Sequence, residues 1–223
     1  MPGRRAATEP EWAPLNRRAR RRQETIDEIL KLAVDIMAEE GVAGLTIAEI
    51  ARRLGVRPPS IYKYFPSLMS IYDALFQRAS INARDAGRAA VDAVEPGMTA
   101  VVAAAEAAGR WVVANPVLAQ LVLWRPVPQF RPSAEAFAPS QEVFELMRRT
   151  LVGAVDAGEL APEAATAEGV DMLASLIAGA LTNYMANEPG KPWNEGRFTP
   201  LIPRLVDLLR HAFPSAPDPT QVR

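Results

Sequence analysis

The 223-residue chain contains no cysteine and a single histidine, His211. Disulfide scaffolds, zinc fingers, iron–sulfur clusters and cysteine or histidine nucleophile pairs are therefore excluded as organising features. A glycine-rich phosphate loop is missing too, and no two carboxylates stand at a spacing recognisable for acid–base catalysis. The sequence thus predicts no catalytic residues, no metal ligands and no cofactor. No apolar run approaches the roughly 18 uncharged residues of a membrane-spanning helix. The basic start Met1–Thr8 leads into no apolar segment of the kind a secretory signal carries. These absences predict a protein of the reducing cytoplasm with no membrane contact. Strand-like alternation and internal repeats are also lacking.

What the chain does have is basic charge gathered at one end. The formal net charge is only −1, yet residues 1–66 carry 12 Lys or Arg against 9 Asp or Glu, while residues 67–223 carry 13 against 17. The excess lies in Arg4, Arg5, Arg17, Arg18, Arg20, Arg21 and Arg22. Such a run fits phosphate binding, and it equally fits a solvated tail. Residues 1–16 are rich in Pro, Ala and Glu and lack periodicity, so 1–21 is expected to be a flexible basic arm. Residues 216–223 are expected to form a flexible tail.

From Thr25 onward the pattern is helical. Ile26, Ile29, Leu30, Ala33 and Met37 repeat at i, i+3, i+4, i+7 and i+11, an apolar stripe on a helix that stops before Gly41. A second helix of about two turns follows: Thr46 and Glu49 are spaced as a capping box, Ile47, Ile50, Ala51 and Leu54 form its apolar face, and Gly55 sits at its stop. Pro58 then opens a third helix, with Arg57 at the cap position, and Pro66 ends it. Two short helices across a glycine turn, braced by a longer one, make a helix-turn-helix, here bounded at residues 22–67. Ile61 and Phe65 face inward, which leaves Pro59, Ser60, Tyr62, Lys63 and Tyr64 partly or wholly outward. That set suits phosphates and base edges, although either tyrosine ring could also be half-buried core with a wet hydroxyl.

The stretch Thr46-Ile47-Ala48-Glu49-Ile50-Ala51-Arg52-Arg53-Leu54-Gly55-Val56, with Ser60-Ile61-Tyr62-Lys63-Tyr64-Phe65-Pro66-Ser67, resembles the DNA-binding domain of the TetR (tetracycline repressor) family. The resemblance covers about residues 22–75. It implies that Thr46 meets a phosphate, that Pro59, Ser60 and Lys63 lie where base edges are read, and that Tyr62 and Tyr64 contact the phosphate backbone. Two positions depart from the pattern. Arg57 stands where a small polar cap is usual, so either it adds a DNA contact or the cap hydrogen bond is missing. Leu68 stands where a phosphate-binding lysine is usual, and the arginine arm is the candidate to compensate.

Residues 68–215 read as an all-helical second domain, with helices near 68–88, 98–114, 116–123, 135–157, 163–187 and 197–213, and an irregular loop across the proline-rich 125–139. The resemblance implies an effector-binding and dimerisation domain joined through the last two helices. The small residues Ala164, Ala165, Ala167, Gly169, Ala174, Ala178, Gly179 and Ala180 would allow close approach of a second copy, or they simply pack a monomer core. Trp111, Leu118, Trp124, Phe144, Met147 and Tyr184 are candidates to line an effector pocket, with Phe130 and Phe137 beside them; plain core packing explains the same pattern. Arg110, Asn115, Gln120 and Asn183 could orient a ligand, and His211 reads as a surface or interface residue. The expected function is an all-α, homodimeric DNA-binding regulator, a repressor of a palindromic duplex operator, released by a small hydrophobic or amphipathic effector. A helical adaptor that uses the helix-turn-helix to bind protein is the alternative, and an enzyme is disfavoured by the missing catalytic groups.

Overall fold

The computed structural model describes residues 17–215. Among them there are helices and turns and no strand, the all-α class expected from the sequence. The first bundle comprises α1 (Arg17–Glu40), α2 (Ile47–Leu54) and α3 (Pro58–Ile61). The second comprises α4 (Leu68–Asp92), α5 (Met98–Ala114), α6 (Pro116–Leu123), α7 (Ala134–Asp156), α8 (Ala167–Asn187), α9 (Ile202–Asp207) and α10 (Leu209–Ala212).

Two hydrophobic cores result. The first unites Ile29, Leu30, Ala33, Ile36 and Met37 of α1 with Ile50, Ala51, Ile61 and Phe65. It does not stop at residue 67: Ile71, Tyr72, Leu75 and Phe76 of α4 belong to it, as do Leu121, Val127, Phe130 and Ala136 from further along the chain. The buried Tyr72 hydroxyl donates to the Val42 carbonyl at 2.7 Å, fixing α4 against the turn after α1. The second core runs through α5, α7, α8 and α9, with Leu151, Leu173, Tyr184 and Ile202 at its centre.

Several expectations are corrected. Arg17–Arg21 are helical, not part of a flexible arm. Arginine is a good helix former, the Arg20–Glu24 ion pair at 3.7 Å supports that turn, and Thr25 Oγ1 donates to the Arg21 carbonyl at 3.0 Å. No apolar stripe marks this turn because it is solvated on nearly every side. The rest of the expected arm, with Arg4 and Arg5, lies outside the described residues, as does the tail 216–223. The third helix is shorter than expected and gives way to a turn at Tyr62–Tyr64. Helix α4 runs one turn further than residue 88, and its start is fixed by a reciprocal Ser67–Ser70 capping box.

The proline-rich loop ends at Ser133, and Pro139 is buried inside α7. Ser133 accepts from the Ala136 amide at 3.1 Å, so the helix starts early enough for the missing amide of Pro139 to cost one interior hydrogen bond. The segment expected as one helix from residue 163 is a 3-10 turn, Pro162–Ala165, followed by α8. A Cβ at Gly169 would fall 2.0 Å from the Ala164 carbonyl oxygen, so glycine alone permits that tight joint. The segment 197–213 is likewise a 3-10 turn, Thr199–Leu201, followed by α9 and α10.

Candidate nucleic-acid interface and effector cavity

The α2–α3 geometry follows from its caps. Thr46 Oγ1 accepts from the Glu49 amide at 3.2 Å, which leaves the hydroxyl hydrogen free to donate outward. The reciprocal half of the expected box is absent, because the Glu49 carboxylate instead takes Arg52 at 2.7 and 2.6 Å and Arg53 at 2.8 Å. Arg53 reaches on to Glu39 at 2.8 and 2.6 Å, tying α2 to the end of α1. Gly55 takes the left-handed conformation (φ 70°), and the Val56 amide closes back on the Ala51 carbonyl at 2.9 Å. Arg57 caps α3 without a side-chain hydrogen bond and is exposed, which resolves one of its two alternatives: the cap bond is missing and the guanidinium is free of the helix.

The Arg52 and Arg53 guanidiniums hold the Glu49 carboxyl down to about 2, and Arg53 likewise lowers Glu39. A carboxyl depressed in the fold adds stability above its unfolded value, near 4.5, and that stability is lost as pH falls through the folded value. The melting temperature of the native chain should therefore exceed that of Glu49→Gln by a small margin at pH 6, and the gap should close between pH 4.5 and 2. A gap that stays constant over that range would show that the carboxylate charge contributes nothing. The margin is small because Arg52 is mostly solvent-exposed.

On α3 and its turn, Ile61 and Phe65 point into the first core, Pro59 and Lys63 are exposed, Ser60 is half-buried, and Tyr62 is 53% exposed. Tyr64 is placed differently from Tyr62. It is half-buried against the core, and the Arg22 guanidinium lies 5.1 Å from its ring centroid. Arg22 also donates to the Lys63 carbonyl at 3.2 Å. This contact brings the basic start of α1, with exposed Arg17, Arg18, Arg20 and Arg21, beside the exposed end of α3. Leu68 is half-buried against the first core, so it offers no substitute for a cation.

Residues 29–75 match the model of bacterial regulatory proteins of the tetR family. The chain is 40% identical over 47 residues to the tetracycline repressor protein class A from transposon 1721 of Escherichia coli, which covers 21% of this chain and 22% of that protein. It is 35% identical over 77 residues to the HTH-type transcriptional repressor DrrR1 of Streptomyces coeruleorubidus, 31% of this chain and 28% of that one. The chain thus matches less than a third of the length of either curated relative. Over nearly the whole fold it is similar to the TetR family transcriptional regulator PfmR from Thermus thermophilus, with a TM-score of 0.63, 21% identity, and coverage of 82% of this chain and 97% of that one.

Residues 29–75 are thus similar to the tetR-family segment, and the fold is similar to that of a TetR family regulator. Within this TetR-family fold a cavity of about 180 Å³ lies among α4, α5, α6, α7 and α8. Of the six expected lining residues the structure brings Trp111, Phe144 and Met147 together there. Leu118 packs instead against the first core, Trp124 lies on the surface with its indole donating to Thr182 at 3.3 Å, and Tyr184 is buried with its hydroxyl on the Lys191 carbonyl at 2.8 Å. Each is held elsewhere by a partner that sequence spacing does not reveal. Phe130 and Phe137 belong to the first core as well. Arg110, Asn115, Gln120 and Asn183 are not among the lining residues; Asn115 and Asn183 are spent on the carbonyls of Trp111 and Gly179, each at 2.9 Å. The reading of the sequence missed Ser80, Ser140, Ala108, Ala174 and Ile177 of the wall. Small residues on helices carry the same signal whether they edge a cavity or pack a neighbour.

The cavity and the first bundle share α4. Leu75 and Phe76 lie in the first core, and Ser80 and Ala83 line the cavity one to two turns later. Arg78 pairs with Asp27 of α1, which lowers the Asp27 carboxyl, chiefly through that hydrogen bond. Asp73 accepts from the Ser133 amide and hydroxyl, both at 2.7 Å, so the same helix holds the start of α7.

Proposed function

We propose that this chain is a DNA-binding transcriptional repressor that acts as a homodimer on a palindromic operator and is released by a small apolar effector. The observation that carries the reading is the Arg22 contact with Lys63 and Tyr64. It joins four exposed arginines and the exposed residues Tyr62 and Lys63 into one basic edge, within and beside the segment that matches the family model. A helix-turn-helix presents such an edge to the major groove, with phosphates taken by the flanking cations and hydroxyls. Thr46 supplies a free hydroxyl hydrogen at the start of α2, and Arg57 an unengaged guanidinium at the start of α3.

A second copy would be carried by the outer face of α8 and the C-terminal helices. Gly179 has open space around it, and Leu201 and Leu208 are exposed on the segment packed beside α8. Twofold pairing of that face would present two α3 turns to one face of the duplex, hence an approximate palindrome. Selection of sites from random duplex DNA, followed by retardation assays, tests binding, symmetry and sequence together. Failure to enrich any duplex would overturn the reading.

Replacing Arg17, Arg18, Arg20 and Arg21 by Gln should weaken binding to all duplexes alike. The slope of log K against log salt should become shallower by roughly 0.9 for each phosphate that the arginines no longer neutralise. An unchanged slope would show that the start of α1 stands clear of the duplex.

A further inference from the structure

We infer that the cavity takes an uncharged, single-ring molecule bearing one hydroxyl group, with that hydroxyl seated on the Ser80–Ser140 pair. The inference rests on the effector reading for its regulatory meaning, and on the cavity alone for its chemistry. The walls are apolar and aromatic, with Trp111, Met147 and Ile177 inside and Phe144, 45% exposed, at the edge. The volume of about 180 Å³ is of the order that accepts one benzene-sized ring, for which roughly 150 Å³ suffices. No charged side chain lines the space, so a carboxylate or ammonium would lose its hydration without a partner.

The polar exception is specific. Ser80, only 2% exposed, stands across from Ser140 with their hydroxyl oxygens 2.9 Å apart, and both side chains line the cavity. One hydroxyl donates to the other. The hydrogen of the acceptor then has no bond to any described residue, and unused lone pairs remain on both oxygens. A group that both donates and accepts completes this pair, which a hydroxyl does and a hydrocarbon does not. A phenolic hydroxyl stays neutral at pH 7 and so meets the uncharged wall. The pair also bridges α4 and α7, so the ligand would touch the helix that enters the first core.

Calorimetric titration of the full chain at pH 7 with 4-methylphenol, toluene and 4-methylbenzoate tests the assignment. We expect 4-methylphenol to bind on the order of tenfold more tightly than toluene, the worth of one net hydrogen bond, and 4-methylbenzoate to show no saturable binding. The double variant Ser80→Ala, Ser140→Ala should lower 4-methylphenol to the level of toluene while leaving toluene unchanged. Ala174→Leu, which fills the space, should abolish both, with circular dichroism confirming that each variant is folded. No binding of 4-methylphenol, equal or tighter binding of 4-methylbenzoate, or a phenol preference that survives the double serine variant would each overturn the inference. Retardation of a selected operator is a separate measurement. Serine-dependent phenol binding that leaves the DNA complex intact keeps the site and sinks effector release.

Discussion

Phe76→Ala should destabilise the fold by about 3–5 kcal/mol, the usual cost of truncating a fully buried phenylalanine, and should loosen the contact between α4 and the segment leading into α7. Phe76 is fully buried at the point where α4 meets the segment between α6 and α7. Its ring centroid lies 6.2 Å from that of Phe130 and 6.2 Å from that of Phe137, and Tyr72 reaches Phe130 at 5.7 Å. The Arg125 guanidinium closes the group, 5.5 Å from the Phe76 ring and 5.3 Å from the Phe137 ring. In the proposed effector response, movement of α6 or α7 would reach α4, and hence the first bundle, through these rings. A ligand shifts a two-state equilibrium only by its differential affinity for the two states, so the linkage must be tight to be useful. The urea midpoint reads the stability loss. Operator affinity with and without a saturating ligand, found by thermal-shift screening of apolar small molecules, reads the coupling. We expect the ratio of those affinities to collapse toward one in Phe76→Ala, while each binding event alone weakens less. Phe76→Leu, which keeps more volume, should recover stability before it recovers coupling. A ratio equal to that of the native chain in Phe76→Ala would rule out the aromatic cluster as the link.

The parts of this fold that were legible in the sequence are those where one local signal has one physical meaning. The glycine at residue 55, the Thr46 cap and the prolines at 58 and 59 each leave the backbone a single good option, and α2 and its turn follow. Residues 17–22 were illegible for the opposite reason: an exposed helix shows no apolar period, so a charged run there reads the same as a coil. Pro139 misled because a proline usually ends a helix, whereas here the Ser133 cap and Asp73 anchor the start of α7 strongly enough to carry it through. The candidate DNA edge was visible as a residue set, but the different placement of Tyr62 and Tyr64 was not. It depends on Arg22, far away in sequence, choosing Tyr64 and the Lys63 carbonyl. The cavity was the least legible part. Aromatic size suggests a pocket equally for Trp111, which lines it, and for Tyr184, which a hydrogen bond to Lys191 locks into the core. The serine pair that gives the cavity its polarity joins residues 80 and 140, a long-range contact that no periodicity announces.

The double variant Tyr62→Ala, Lys63→Ala should weaken operator binding by at least about 1–3 kcal/mol, the worth of the base-edge contact assigned to Lys63, with the lost Tyr62 phosphate contact adding to it. Both side chains are exposed, and neither belongs to the core, so helical content and melting temperature should stay close to those of the native chain. The two halves of the change act differently. A lysine at a base edge carries sequence information, so Lys63→Ala alone should flatten the preference at one position in each half-site. A tyrosine hydroxyl on a phosphate carries none, so Tyr62→Ala alone should weaken cognate and unrelated duplexes in the same proportion. Tyr64→Ala is the informative control. Its ring packs on the first core under Arg22, so its loss should lower the melting temperature and weaken binding together, through a displaced α3 turn. Fluorescence anisotropy on a selected operator and on a scrambled duplex, at fixed salt, separates these outcomes. If the double variant binds the operator as tightly as the native chain, the α3 turn is not the reading surface, whatever its likeness to one.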